Sequence, residues 1–485
     1  MGRRRLSAVN GRPGLKADSL RLWHLVAVGL AFQSLALVVY LNVGFIEQTA
    51  GPVAPVVFLL VTLASIPTAI SFAVMSNRRP SAGTGFTWLW ETTVPPVGVW
   101  LGWLLTSAYA MASILQPVMF GLFFNALLRV FGISTSLATA VGGGLLVTAL
   151  VAWTTYHQIQ ISARLIGVFL AVEATFVTFL AAFIVVRQGM RGNLSLDPFN
   201  PAAATGGLHG IFLAVLFGLL AISGFDVISP IAEETRAPRR LIPLATILIT
   251  VIPGIFWMLT SYAIVEAVPV RVMVDQFMAS GEVTPVYLIA DRYIGWLKIL
   301  VPLTGMTAVL ACFGSALLAC SRTLYALARE GFAPQVLATL HPRARIPWNA
   351  QLLVLSLVAV LPVGLGAWQG SYLAAFGWGG QLLVFFVLLP YIAVNLANIV
   401  YHLRWRRDQF NWLINGLVPL LGIAIDGYVI YYAFFRTLLE LPFKQGSSIV
   451  WVGIAWEVVG ICWTAVAWLR RPADRRNQPL ATTVT

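Results

Sequence analysis

Charge is what this sequence has least of. Only 10% of its 485 residues are Asp, Glu, Lys or Arg, where a soluble globular protein carries about 25%. Hydrophobic residues make up 59%, so there is too little polar surface to cover a water-facing globule. The chain reads as an integral membrane protein. Acidic residues are scarcer than basic ones, 18 against 31. Cysteine is rarer still: Cys312, Cys320 and Cys462 all fall in apolar segments with no CxxC spacing, which excludes a metal or redox cluster in favour of buried thiols. The five histidines (24, 157, 209, 341 and 402) sit at segment ends or in loops. A membrane-embedded enzyme needs a nucleophile–base pair or a metal constellation within its spans, and none can be assembled. No GxxxxGK[ST] stretch occurs, so ATP-driven pumping has no support. Nor is there a selectivity filter of the kind a channel requires.

What is there is a series of apolar segments: 22–48, 52–76, 96–128, 137–156, 162–187, 208–230, 241–266, 295–325, 349–367, 371–401, 411–436 and 448–470. Segments of this length exclude a β-barrel, whose strands are about 10 residues long and alternate in polarity. The fold class expected is all-α, with 12 transmembrane helices. The +13 net charge follows the topology. If the N-terminus is cytoplasmic, 23 of the 31 Lys and Arg residues fall on inside segments and 8 outside. This is the positive-inside pattern, and it places both termini in the cytoplasm and the chain in a cell membrane. The basic charge is thereby accounted for without nucleic acid. The expected organisation is a basic cytoplasmic tail (1–21), a core (22–401, with halves 22–187 and 208–401), a further helix pair (411–470) and a second tail (471–485). The longest outside stretches are 188–207 and 267–294.

Two spans are interrupted. The first carries Gln33-Ser34 near its middle and the sixth carries Ser223-Gly224. Interrupted helices in corresponding positions of two halves point to a transporter binding site. Small or polar residues that simply let helices pack closely would leave the same trace.

Two motifs carry a family resemblance. "GFDVISPIAEETRAPRRLIP" follows the sixth segment. "SALLACSRTLYALAREGFAPQVLATLHPRARIPWNA" (315–350) closes the eighth and leads into the ninth, with Ser321, Arg322, Tyr325, Arg329, Gly331, Pro334, His341-Pro342, Pro347 and Asn349-Ala350 in order. A weaker match is "AGPVAP…SAGTGFTW". Together they resemble the amino acid–polyamine–organocation transporter family over essentially the whole chain. The resemblance implies a leucine-transporter-type core of five-plus-five inverted repeats, two additional C-terminal helices, and discontinuous first and sixth helices. It also implies a midplane substrate site between the first, third, sixth, eighth and tenth helices. The chain departs from the family at the first break, where Phe32-Gln33-Ser34-Leu35-Ala36 contains no glycine.

A broken helix must line a cavity, because its open N–H and C=O groups cannot face lipid. Each open end carries about half a charge. An amino acid substrate would set its carboxylate on the N–H groups after Gln33-Ser34, near Leu35 and Ala36, and its ammonium on the carbonyls of Ile222 and Ser223. Gly224 permits the turn. Asp226 either caps the second half of helix six, accepting from N–H groups two or three positions on, or meets a cationic substrate or proton. Tyr109, Phe217, Phe225 and Trp378 are candidates to line or gate the pocket, and lipid-facing or core positions are the alternative for each.

Glu173 lies near mid-membrane in the fifth segment, where an ionisable group is costly and is expected to face the interior. The resemblance places it in the region where sodium-coupled relatives hold their ion, which makes it the first candidate for proton coupling. Sodium bound by Glu173, Ser315 and helix-one carbonyls is the other option, and a neutral glutamic acid bonded to a neighbouring hydroxyl is the plain one. Asp426 and Glu457 are read as packing or subunit-contact residues. Glu233, Glu234 and Arg322, with Arg236, Arg239 and Arg329, form either an inner gate of ion pairs or a solvated membrane-surface face. The function expected is gradient-driven transport of amino acids, by proton-coupled symport or exchange, with no bound cofactor. A polyamine or other organic-cation carrier, or a sodium symporter, is the alternative. The partners expected are the substrate and the lipid bilayer, with the chain acting as a monomer or homodimer.

Overall fold

The computed structural model describes residues 8–9, 12–13, 20–81, 83–92, 95–156, 163–279, 283–342 and 345–470. The basic tails (1–21 and 471–485) otherwise lie outside the described residues, as does His157. Apart from a two-residue pairing of Ala8–Val9 with Arg12–Pro13, regular structure here is helical. In chain order the long apolar helices are α1 (Leu22–Ala50), α2 (Ala54–Arg78), α3 (Pro95–Val130), α4 (Leu137–Tyr156), α5 (Ala163–Met190), α6 (Gly207–Ile222), α7 (Pro238–Ala267), α8 (Leu300–Arg329), α9 (Trp348–Gln369), α10 (Tyr372–Trp405), α11 (Trp412–Glu440) and α12 (Ser448–Arg470). Eleven helical stretches among the described residues are long and apolar enough to cross a membrane, and α6 is a shorter apolar helix. The chain is a multi-pass membrane protein.

The helices differ in what they touch. α3 is buried along most of its length, whereas α12 shows Trp451, Val458, Ile461 and Leu469 on its exterior. Exposed apolar side chains on a helix exterior are what lipid accepts at no cost. The interior therefore belongs to α1, α3, α6, α8 and α10.

The two interruptions become two different breaks. In α1 the helix stops at Gln33 and restarts at Leu35. Ser34 alone bridges them, with φ 48° and ψ 112°. A non-glycine residue at positive φ is strained. Its side chain offsets this locally by accepting the Leu37 N–H at 3.2 Å, as a cap for the second half. In α6 the helix stops at Ile222, and Gly224 turns the chain at φ 102°. Any Cβ at Gly224 would run into the Phe32 ring, so only glycine brings the two breaks this close. The expected second α-helical half beginning at Asp226 is not there. Turns carry the chain to a 3-10 segment, Ser229–Glu234, with Pro230 in its first turn. The sixth apolar segment (208–230) is thus a helix followed by turns.

Two further segments differ from expectation. The 267–294 stretch holds a helix, Pro285–Ile294, whose charged residues Asp291 and Arg292 gave it the look of a loop. Residues Gly85–Thr92 form a short helix between α2 and α3. Finally, Leu20 pairs with the segment after the α6 break. Its N–H donates to the Glu234 carbonyl at 3.1 Å, and its own carbonyl accepts from the Arg236 N–H at 2.9 Å.

Candidate functional site

The breaks in α1 and α6 meet at an interior cavity of about 70 Å³. Its lining comes from five helices. Gln33, Leu37 and Asn42 come from α1, Tyr109 and Gln116 from α3, and Ser223, Gly224 and Asp226 from the α6 break, with Cys312 from α8 and Phe376 from α10. Of the residues singled out in the sequence, Gln33, Tyr109, Ser223, Gly224 and Asp226 are brought together here. The others sit behind this surface or away from it.

Among the described residues Asp226 is the one charged side chain on the cavity wall. Its carboxylate does not cap the following turn. Instead Oδ2 accepts from the Tyr109 hydroxyl and Oδ1 from the Tyr391 hydroxyl, the latter at 3.0 Å. Tyr391 also accepts the Gly224 N–H at 3.2 Å, and its ring stacks on Phe225 at 4.8 Å. Phe225 thus supports Tyr391 from behind and does not line the cavity. Two phenol donors hold the carboxylate in a fixed orientation in a site that is 3% exposed, which is how a buried charge is kept available.

One seat expected for each of an amino acid's two charges, the Ile222 carbonyl and the Ala36 N–H, is already occupied. The Ile222 carbonyl accepts from Gln33 Nε2 at 2.6 Å. Ser223 turns its hydroxyl back to the carbonyls of Leu219 and Leu220 at 2.6 and 3.0 Å. At the start of the second half of α1, Glu173 Oε2 accepts from the Ser34 hydroxyl at 3.1 Å and lies against the Ala36 N–H. The Leu35 carbonyl accepts from Trp257 Nε1 at 3.2 Å. Glu173 therefore fills the helix-end position that a substrate carboxylate would take. Ser315 bonds the Ala311 carbonyl at 3.0 Å and is not joined to Glu173. What the cavity has left is acceptor capacity: Gln33 Oε1 and Gln116 Oε1 are buried without partners, and both residues line the same cavity as Asp226.

Packed side chains flank the cavity on two sides. Toward the Ala50 end of α1, Phe45 stacks on Phe217 at 4.6 Å and packs against Phe376 at 6.0 Å. The Phe217 carbonyl accepts from Asn42 Nδ2 at 2.8 Å. Phe217 is thus a closing residue. Trp378 bonds Ser448 at 2.9 Å, away from the cavity. Toward the opposite face, Arg322 Nε donates to Glu234, and Arg329 clasps Glu233 through two N–H groups at 2.9 and 3.3 Å. These side chains are largely buried, whereas Arg236 and Arg239 are exposed and outside the cluster. Asp426 accepts from Thr68 at 3.1 Å and Glu457 from Trp100 at 3.1 Å, both at helix contacts outside the cavity.

Sequence reading missed Asn42, Gln116, Cys312, Phe376 and Tyr391. The first two were findable as polar residues inside apolar runs. Tyr391 was not, because its role depends on a partner 165 residues away.

Comparison with known proteins identifies the family. A family model described as "Amino acid permease" matches residues 24–466. The chain is 23% identical over 455 residues to the low-affinity putrescine importer PlaP of Escherichia coli K12, covering 92% of this chain and 93% of that protein. It is 24% identical over 362 residues to the branched-chain amino acid permease BcaP of Bacillus subtilis, covering 71% and 74%. Against the vacuolar cationic amino acid transporter 2 of Arabidopsis thaliana it is 26% identical over 434 residues, covering 82% and 64%.

Proposed function

This chain belongs to the amino acid permease family, and on that premise we propose that it is a secondary transporter that moves a small amine-bearing solute, an amino acid in the first reading, by alternating access. The observation that carries the proposal is the buried Asp226 carboxylate, held by two tyrosine hydroxyls on the wall of a cavity between two helix breaks. A protonated amine is the natural occupant of such a wall, since it pairs with the carboxylate and donates to the free oxygens of Gln33 and Gln116. Alternating access requires two closures that open in turn. The Phe45–Phe217–Phe376 layer and the Glu233–Arg329 and Glu234–Arg322 pairs are suited to those roles. Interrupted helices α1 and α6 in corresponding positions fit an inverted repeat of two five-helix halves followed by α11 and α12. The charge asymmetry of the loops assigns the ion-paired face to the cytoplasm.

A second reading is favoured by one specific feature. Among the described residues the cavity wall offers acceptors and no cation, and Glu173 lies where a substrate carboxylate would dock. A diamine, which has ammonium groups and no carboxylate, suits that wall better than an α-amino acid does.

Coupling is assigned to a proton on Glu173, which reaches the α1 break through the Ser34 hydroxyl. Sodium at the same place is the alternative. The test is uptake of labelled leucine, lysine and putrescine into proteoliposomes, with imposed proton or sodium gradients and in counterflow. At least one of the three is expected to exchange, and failure of all three in every mode would overturn the carrier reading. In Glu173→Gln, gradient-driven uptake is expected to lose its pH dependence while counterflow persists. A retained pH dependence would remove Glu173 from the role.

A further inference from the structure

One buried carboxyl group has no place in this scheme. Glu47 lies in the last turn of α1 and is 1% exposed, yet neither of its oxygens has a hydrogen-bond partner. Among the described residues the other buried carboxyls each keep a donor: Asp226 has two tyrosines, Glu173 has Ser34, Asp426 has Thr68 and Glu457 has Trp100. A buried polar group left bare in a native structure calls for an unseen ion, water or proton.

Among the described residues no ion pair reaches Glu47 from the elements packed against this turn, and Asp197, on the stretch that bonds the Ala50 carbonyl through Thr205, is exposed. α6 contributes His209, which is bound to the Tyr432 hydroxyl at 2.9 Å. The Met273–Met278 turn contributes Asp275, paired with Arg271 at 3.3 Å. The helix Pro285–Ile294 contributes Asp291, paired with Lys298 at 2.8 Å, and the exposed Arg292. Its two tyrosines are also engaged, Tyr287 under the Lys298 ammonium and Tyr293 on the Ala267 carbonyl at 2.6 Å. α7 contributes Glu266, which accepts from the Ser195 N–H at 3.2 Å, and Tyr262, which donates to the Ser195 carbonyl at 3.0 Å, while Arg239 and Arg240 lie at its opposite end. α2 carries only Arg78, also at the opposite end. On α1 itself Tyr40 is bonded to Thr304 at 2.8 Å.

The helix adds to the imbalance. Glu47 sits in the final turn, at the negative end of the helix dipole, although the Glu47 and Ala50 carbonyls accept from the Gly51 and Thr205 N–H groups, both at 2.9 Å. One more bare group lies close by. Gly44, one turn earlier on the same face, packs against Pro285, and the hydroxyl of the adjacent Thr284 is buried without a partner. Burial, absent donors, absent cations and a negative helix end all favour a bound positive charge. A proton is the cation that needs no further ligands.

We propose that Glu47 is a proton-binding site, loaded from the face where α1 ends, whose occupancy is coupled to opening of the aromatic closure. The proposal rests on the transporter reading above. Phe45 of that closure and Glu47 share one turn of α1. An ionised Glu47 draws water into that turn, and a protonated one lets the turn stay dry and the phenylalanines stay packed.

The test uses the full chain in proteoliposomes as wild type and Glu47→Gln, beside Glu173→Gln. Counterflow of labelled leucine, lysine or putrescine without a gradient reports on transport itself. Accumulation driven by a proton gradient reports on coupling. In Glu47→Gln, counterflow is expected to hold within about twofold while gradient-driven accumulation falls by about tenfold or more. The infrared C=O band of a neutral carboxylic acid is expected to shrink in the same variant. Unchanged gradient-driven accumulation, or loss of an ionised-carboxylate band only, would overturn the proposal. So would a wild type driven by sodium and not by protons. If the wild type shows no counterflow, the transporter reading fails, while the infrared band still decides the state of Glu47. Glu47→Met keeps the volume without a titratable group and gives the same two readouts if Glu47→Gln does not fold.

Discussion

Asp226→Asn is expected to weaken binding of an amine substrate by tens to thousands of fold. Removing one member of a buried charge pair costs about 2–5 kcal/mol, and each 1.4 kcal/mol is about tenfold in affinity. Asparagine is the informative replacement because its carbonyl oxygen still accepts a hydrogen bond from Tyr109 or Tyr391. Alanine would leave both hydroxyls buried and bare, at about 1–3 kcal/mol each, and would mix a folding defect with a binding defect. The measurement is the substrate concentration giving half-maximal counterflow, for lysine, putrescine and leucine in parallel. If the amine is held at Asp226, all three weaken. If half-saturation moves by less than about threefold for whichever solute the wild type carries, a change too small for a lost ion pair, Asp226 is a structural residue and the solute binds elsewhere.

The second large effect is at the opposite closure. Arg322→Ala leaves Glu234 largely buried without the guanidinium that faces it. Breaking a buried pair by removing one partner costs about 3–5 kcal/mol, and the closed form bears that cost because opening exposes Glu234 to water. The closure should then stand open far more often. Cys312 on the cavity wall is a built-in reporter. In a Cys462→Ser background, which removes the exposed thiol, a membrane-impermeant thiol reagent applied from the ion-paired face should label Cys312 faster by about a hundredfold. Removing both partners, as Arg322→Ala with Glu234→Gln, takes the carboxylate charge away as well and should bring labelling part of the way back. Equal labelling rates in the single variant and its parent would mean that the pair does not hold this end shut.

Much of this organisation was legible in the sequence because hydropathy is a local property. The ends of α4 and α12 can be read to the residue from composition alone, and most other helices within a few positions. The break in α6 was visible in Ser223-Gly224, where glycine marks a conformation other residues avoid. The break in α1 was visible as a polar pair, but its geometry was not, since nothing in Ser34 announces a positive φ. What stayed hidden depends on partners far apart in the chain. Asp226 looked like a helix cap because caps are local. Its actual donors, Tyr109 and Tyr391, arrive from α3 and α10. The seat that Glu173 takes at the start of α1's second half is hidden in the same way. Glu47 escaped notice for a different reason. Near the end of an apolar run, a carboxylate reads as a boundary residue at the water surface, and only the folded chain buries it.

The two closures of the cavity are chemically unlike, and this has a thermal consequence. Opening the Phe45–Phe217–Phe376 end bares aromatic surface, which raises heat capacity. Opening the Arg322–Glu234 and Arg329–Glu233 end bares ionic groups, which lowers it. The two half-cycles therefore carry heat-capacity changes of opposite sign. Their rates, plotted logarithmically against reciprocal temperature, bend in opposite directions, so the step that limits turnover in the cold need not be the one that limits it in the warm.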